Sequence, residues 1–347
     1  MNIIFQPYYY WTGHFKQYAD SLLGSDDILI KSKKNKKYSG FISYCYFRFY
    51  YFTISLFKLI KYKKKINNIF ILDFEPISIL LFNRLIFKKE IQYIITIHAI
   101  EKNDYKSTFK NKVAQFQRFA LKSALATINK KFNCKFVVHT HAHQTQLIDF
   151  LKTEHLNINV IEYPAPQPAS SPNSLVKSFN IYPKSLLVFG AIRADKGLYE
   201  FIESIRKANL DESIEIIFAG KVMDDRFDSY IPPKNVKIIN KFLTEPELHN
   251  LVQNCHFFLV PYAKNYTGGA GPAKDATSYG KPIITSNLAI FNEFSKNSFV
   301  YTINDANDLN NIINNITDTE YDASCVASLE YSKLNNWSTF RNKYISL

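Results

Sequence analysis

Glycine is scarce in this chain, at 10 of 347 residues. Three of the ten nevertheless stand within four positions, in Thr267-Gly268-Gly269-Ala270-Gly271-Pro272. Clustering in a glycine-poor chain marks a point where the backbone must come close to something. Paired cysteines are missing too. Cys45, Cys134, Cys255 and Cys325 lie far apart with no C-x-x-C, which argues against a zinc site and suits a reducing compartment. The chain also lacks an uninterrupted apolar run long enough to span a bilayer. The longest candidate, Phe41–Ile60, is broken by Arg48 and Lys58, and a central Arg costs ~2.5 kcal/mol or more in a membrane. Residues 1–5 have no basic segment ahead of the apolar ones, so they read as a first strand and not as a signal peptide.

Acidic residues are in deficit: 30 against 43 Lys and Arg, for a net charge of +13. Polyanions are the natural partners of such a chain, although a general basic bias accounts for the charge equally well. Lysines cluster on both sides of the aromatic run, at 31, 33, 34, 36 and 37 and again at 61, 63, 64 and 65. That arrangement fits an anionic membrane surface; lysine-rich turns around a helix packed on its own sheet are the plainer alternative.

The balance of 46% hydrophobic and 21% charged residues is that of a globular protein, and the length allows two domains. Short apolar runs without polar alternation, at 3–5, 27–30, 68–72, 93–97, 136–138 and 160–162, read as strands buried on both faces, and helical stretches separate them. A proline-rich stretch from Tyr163 to Pro172 interrupts this pattern. The alternation then restarts with strands at 186–190, 214–220, 236–239, 256–260 and 282–285. Thr244 and Glu247 form a capping box for a helix between the third and fourth of these. The expected organisation is a first Rossmann-like domain over 1–165, a linker over 166–183, a second over 184–325, and a C-terminal helix over 326–347 that returns to the first domain.

In open α/β sheets, ligands bind at the carboxyl ends of the strands. Gly190, Arg193, Lys196 and Gly197 follow one strand and open a helix, so a guanidinium and an ammonium are available for a diphosphate; a solvated basic turn would look the same. Gly268, Gly269, Ala270 and Gly271 run into a helix with Pro272 in its first turn, where free N–H groups and the helix dipole make an anion site. Asp275, about one turn in, is suited to accept from ribose hydroxyls. In the first half, His98 ends a strand close to Glu101, Glu75 stands at another strand end, and Gly13 and His14 follow the first strand. His139, His141 and His143 alternate as they would along one face of a strand; packing or an acceptor-side role suits them better than a metal.

These residues, in this order, resemble the nucleotide-sugar domain of family-4-type retaining glycosyltransferases of GT-B fold, of the bacterial surface-polysaccharide type. The likeness rests on Gly190, Arg193, Lys196 and Gly197; Ala219-Gly220; the Leu-Thr-x-x-Glu-Leu stretch at 243–248; Pro261; the glycine loop; Asp275; Gly280-Lys281-Pro282-Ile283; and Trp337-Ser338. It covers 184–340 well and the first half loosely. It implies an α/β fold of two tandem Rossmann-like doubly wound domains facing a cleft. It implies transfer of a sugar from a nucleoside-diphosphate sugar to a glycan hydroxyl, with retention and without a metal or other cofactor. The catalytic residues would be His98, Arg193 and Lys196. Gly13, Gly190, Gly220, Thr267, Gly268, Gly269, Ala270, Gly271 and Asp275 would bind the donor, and His14, Glu75 and Glu101 would lie on the acceptor side. Where the family carries a first carboxylate in this loop, this chain has Thr267. The acceptor would be a polyprenyl-diphosphate-linked intermediate of O-antigen or capsule, met by a cytoplasmic protein peripheral on the inner face of the cell membrane, with no nucleic acid bound. A GT-B epimerase, a catalytically inactive GT-B subunit and a nucleic-acid-binding protein are the alternatives.

Overall fold

The computed structural model describes residues 2–11, 15–33, 40–62, 66–98, 100, 108–153, 155–166, 177–208, 210–269 and 271–347. Gly13, His14, Glu101 and Ala270, with Lys34, Lys36, Lys37, Lys63, Lys64 and Lys65 and most of the proline-rich stretch, lie outside the described residues. The chain divides into two compact units, one of residues 1–162 and 340–347 and the other of residues 163–339.

The first unit carries β1 (Ile3–Phe5), α1 (Phe15–Leu22), β2 (Ile28–Ile30), α2 (Phe41–Ile60), β3 (Asn68–Ile71), α3 (Pro76–Ile86), β4 (Gln92–Thr96), α4 (Thr108–Lys131), β5 (Cys134–Val138), α5 (His141–Leu151) and β6 (Ile158–Val160). Its six strands pair in parallel in the order β2-β1-β3-β4-β5-β6. Strands buried on both faces explain the unbroken apolar runs: Ile3, Ile4, Phe5, Phe70, Ile71, Tyr93, Ile94 and Ile95 are all fully buried. The aromatic run forms the single helix α2. Arg48, in its middle, reaches Asp73 at 2.8 Å and the Phe74 carbonyl at 3.0 Å, and lies over the Tyr8 ring at 4.7 Å. The charge of an arginine on the core-facing side of the helix is therefore not left uncompensated: a carboxylate and a carbonyl just past the end of β3 meet it. No described helix is long and apolar enough to cross a membrane.

One expectation fails here. His139, His141 and His143 do not share a strand face. β5 ends at Val138, and Thr140 caps α5 by accepting from the His143 backbone N–H at 3.1 Å. The threonine hydroxyl satisfies a free N–H of the helix start, which places His141 and His143 in the first turn of α5. His139 alone remains at the strand end.

The second unit carries β7 (Lys184–Phe189), α6 (Leu198–Lys207), β8 (Ile214–Ala219), β9 (Val236–Ile239), α7 (Glu245–Gln253), β10 (Phe257–Val260), α8 (Gly271–Ser278), β11 (Ile283–Ser286), β12 (Val300–Ile303), α9 (Asp308–Asn315) and α10 (Asp318–Leu334). A last helix, α11 (Trp337–Ile345), begins in this unit and ends in the first. The strands pair in parallel in the order β12-β11-β10-β7-β8-β9. The order runs outward in one direction from β7 through β8 to β9 and in the other from β10 to β12, so the chain reverses direction between β7 and β10. A doubly wound sheet leaves a crevice beyond the carboxyl ends of its strands at such a reversal. α7 starts as expected, with the Thr244 backbone N–H donating to the Glu247 carboxylate at 2.9 Å.

Candidate active site

The strand reversal brings together the two stretches singled out in the sequence. β7 leads into Gly190, and β10 leads through Pro261 to the glycine loop and α8. Gly190 has a φ of +109°, open to glycine and costly for other residues. A Cβ placed on it would lie 3.6 Å from Lys196 Nζ and 3.7 Å from Pro272 Cγ. Lys196 and the start of α8 therefore flank the same bare point of backbone. The lysine is carried there by a 3-10 turn over Ala194–Lys196. Its carbonyl accepts from the Ala263 N–H at 2.9 Å, which ties this turn to the segment after β10. Gly197 closes the turn with a φ of +70°, and a Cβ there would stand 2.4 Å from the Ala263 Cβ. The glycine is needed for the backbone conformation and for the close approach alike.

The Lys196 side chain is buried, with Nζ 5.1 Å from the centre of the Tyr262 ring. Burial pushes its ammonium down to about 8, the nearby Arg193 charge adds to this, and Asp195 opposes it. A cation held without full hydration next to a helix N-terminus is prepared for an anion. Arg193 is exposed and paired with Asp195 at 2.7 Å, a surface pair worth ~1 kcal/mol or less that an anionic ligand could displace.

The described residues of the glycine loop do different things. A Cβ on Gly268 would strike the Tyr266 hydroxyl at 2.6 Å, and that hydroxyl donates to the Gly269 carbonyl at 3.0 Å. Gly268 is therefore glycine because a tyrosine folds over it. Gly269 is exposed, and a Cβ there would meet nothing within 4 Å. Gly271 is the first residue of α8 and not a loop residue. Thr267 is half-buried in the same loop.

Asp275, in α8, lines a cavity of ≈ 250 Å³ with Phe189, Glu245, Leu248, Phe258, Ser278, Tyr279 and Pro166. Its charge is felt by the surrounding phenols: burial pushes Tyr163, Tyr262 and Tyr279 up, and Asp275 adds to each. Aromatic and aliphatic walls with carboxylates at the edge suit a flat, partly polar ring carrying hydroxyls. Gly220 follows β8 directly, beside Gly190. Tyr262, Tyr266, Tyr279 and Glu245 were not singled out by sequence reasoning; the one available signal was the tyrosine directly after Pro261 at the end of an apolar strand.

In the first unit, His98 stands just past β4, and its Nε2 bonds the Leu72 carbonyl at 2.9 Å. Glu75 does not present a free carboxylate. It is the N-cap of α3 and accepts from the Ile77 and Ser78 N–H groups at 3.3 and 2.7 Å.

Comparison with known proteins fits this geometry. Residues 176–328 match the family described as Glycosyl transferases group 1. No curated protein matches the chain by sequence. Among solved structures, HepE of Anabaena, crystallised in complex with UDP-glucose, is similar at 14% identity and a TM-score of 0.63, covering 100% of this chain and 98% of that one. The N-terminal domain of Candida albicans trehalose-6-phosphate phosphatase is similar at 10% identity and a TM-score of 0.68, covering 99% and 97%. An α,α-trehalose 6-phosphate synthase from Burkholderia multivorans is similar at 11% identity and a TM-score of 0.61, covering 89% and 75%. At such identities the likeness is one of fold. Residues 176–328 are thus similar to group 1 glycosyltransferases, in an α/β chain of two-domain GT-B fold.

Proposed function

We propose that this chain is a glycosyltransferase that moves a sugar from a nucleoside-diphosphate sugar to a glycan hydroxyl, with retention and without a metal. The observation that carries this reading is the placement of Lys196 Nζ and the start of α8 on either side of bare backbone at Gly190, at the strand reversal of the second sheet. The diphosphate would lie there, against Lys196, Arg193 and the N–H groups at the start of α8. Asp275 would take the ribose hydroxyls, and the cavity beside it would take the base. As the bond between the sugar C1 and the diphosphate breaks, negative charge builds on the leaving oxygens. The fixed cation and amides stabilise it most strongly at that moment. The acceptor oxygen bonds C1 on the face the diphosphate leaves, and its proton passes to a leaving phosphate oxygen. His98 would touch the sugar. A panel of UDP-, GDP-, ADP- and dTDP-sugars tests the reading: the true donor at 100 times its Kd raises stability by ~2.7 kcal/mol, visible as a melting shift. A chain stabilised by none of them, with none hydrolysed or transferred, would refute it.

We further propose a lipid-linked acceptor at the inner face of the membrane, in surface-polysaccharide assembly. Support comes from the outer side of α2, where Ile42, Tyr46, Tyr50, Ile54 and Phe57 recur at helical spacing and are all exposed. Leu81 and Leu85 on α3 and Phe116 and Phe119 on α4 are exposed as well. With lysines at both ends of α2, this is the composition of a helix lying in an anionic interface. Flotation with anionic liposomes should retain the wild type, and Tyr46→Asp with Phe57→Asp should release it. No salt-sensitive flotation of the wild type would end this part of the proposal.

A further inference from the structure

His98 and His139 stand just past the carboxyl ends of neighbouring strands, β4 and β5, and all four of their ring nitrogens are engaged. His98 Nε2 meets the Leu72 carbonyl at 2.9 Å. His139 Nδ1 meets the Ile161 carbonyl at 2.9 Å. The remaining two, His98 Nδ1 and His139 Nε2, face each other at 3.3 Å. A carbonyl only accepts, so both outer nitrogens must carry hydrogen. If both rings were neutral, the inner nitrogens would then be two bare lone pairs pointed at one another. One further proton between them removes the conflict. Three ring protons then satisfy three hydrogen bonds, and the pair carries a single positive charge.

We propose that His98 and His139 bind one proton as a unit, so that His139 is the positioning residue that fixes the ring and the charge of His98. Both carbonyl bonds become charge-assisted when the proton is present, which strengthens them. Burial works against the charge: His139 is buried, whereas His98 is only half-buried and keeps water on one side. Among the described residues, the following groups face the pair from the packed elements. Tyr18 of α1 stands edge-on to both rings at 5.6 and 6.0 Å, and Phe340 of α11 lies 6.3 Å from His139. Tyr344 of α11 has its phenol pushed up by burial. Asp73, next to Leu72, is engaged by Arg48 at 2.8 Å, and Glu162 follows Ile161. His143 is buried in the first turn of α5, whose N-terminal dipole opposes a cation. Because the two rings share the proton, they release it together, at higher pH than an isolated imidazole.

The role of this charge rests on the proposed transfer, in which His98 meets the sugar and a standing cation there would favour departure of an anionic diphosphate. The proton itself can be tested without that reading. In the wild-type chain labelled with 15N-histidine, long-range ring spectra taken from mildly acidic to mildly alkaline pH should show a pair of rings changing together, with one extra proton still held at neutral pH. In His139→Gln, His98 should titrate alone, near the ordinary ~6.5. With the true donor, the alkaline fall in kcat/KM should move at least about one unit lower in His139→Gln than in the wild type. Two neutral rings at neutral pH in the wild type, or two independent titrations, would overturn the proposal even if the variant does not fold. A shared proton in a chain that turns over no sugar nucleotide would uphold the pair and remove the reading of the reaction.

Discussion

A Cβ built on Gly220 would lie 2.1 Å from the carbonyl oxygen of Gly190. The glycines that follow β8 and β7 therefore touch, and the second presents its bare backbone to Lys196. Gly220→Ala must push the end of β7 away from its neighbour. We expect a loss of about 3 kcal/mol or more, read as a lower urea midpoint, with donor binding weakened in parallel because Gly190 moves. A fully stable Gly220→Ala would refute a close contact between the two glycines.

Lys196→Ala should lower kcat by roughly 10²–10³ with little change in melting temperature, since a buried cation aimed at developing charge contributes on the scale of one oxyanion-hole donor. Lys196→Arg should restore little of this, because the planar fork does not fit a slot built for a point charge over the Tyr262 ring. Near-wild-type turnover in Lys196→Ala would displace the diphosphate site.

The pH dependence follows from the same residue. Its ammonium, at about 8 in the folded chain, lies below the ~10.4 of a free lysine. Below about 8 the amine is charged whether the chain is folded or not, and the burial penalty is fully present. Between about 8 and ~10.4 the folded chain has lost the proton and the unfolded chain has kept it, so this residue's contribution to stability rises with pH. Donor capture runs the other way, because it needs the charge. In stopped-flow or steady-state assays, kcat/KM should fall as pH rises through about 8. The fall in kcat should come later, since the bound diphosphate holds the proton on.

The loop glycines should separate cleanly. Gly269→Ala places its methyl in open space, so stability should change by no more than ~0.5 kcal/mol while the KM for donor rises. Gly268→Ala must displace the Tyr266 ring and should lower the melting temperature as well. Identical behaviour of the two in calorimetry would remove the distinction.

Arg48→Met leaves Asp73 buried without its partner and should cost about 3–5 kcal/mol in urea unfolding. Replacing both residues with apolar ones of similar size should recover much of the loss, as measured by a double-mutant cycle.

The alternation of apolar runs and helical stretches was legible because parallel strands buried on both faces need no polar positions, so their runs stand out. The capping box at Thr244 and Glu247 was legible because it is local. The histidines were misread for a reason of the opposite kind: alternation over five residues carries a strand period, but the hydroxyl of Thr140 caps a helix and overrides it. Glu75 stood at a strand end as expected, yet Pro76 after it opens a helix, and the carboxylate is taken up by the free N–H groups of that first turn.

The sequence by itself determined the two runs of strand and helix and the glycine-basic-glycine signature after β7, because these follow from local periodicity and from backbone conformations that only glycine tolerates. The order of strands in each sheet, the meeting of Gly190, Lys196 and Pro272 across 82 positions, and the facing nitrogens of His98 and His139 were decided only by the tertiary structure. Each depends on which strands lie side by side, and parallel pairing is set by crossover packing between distant segments, which leaves no mark in any short stretch of chain.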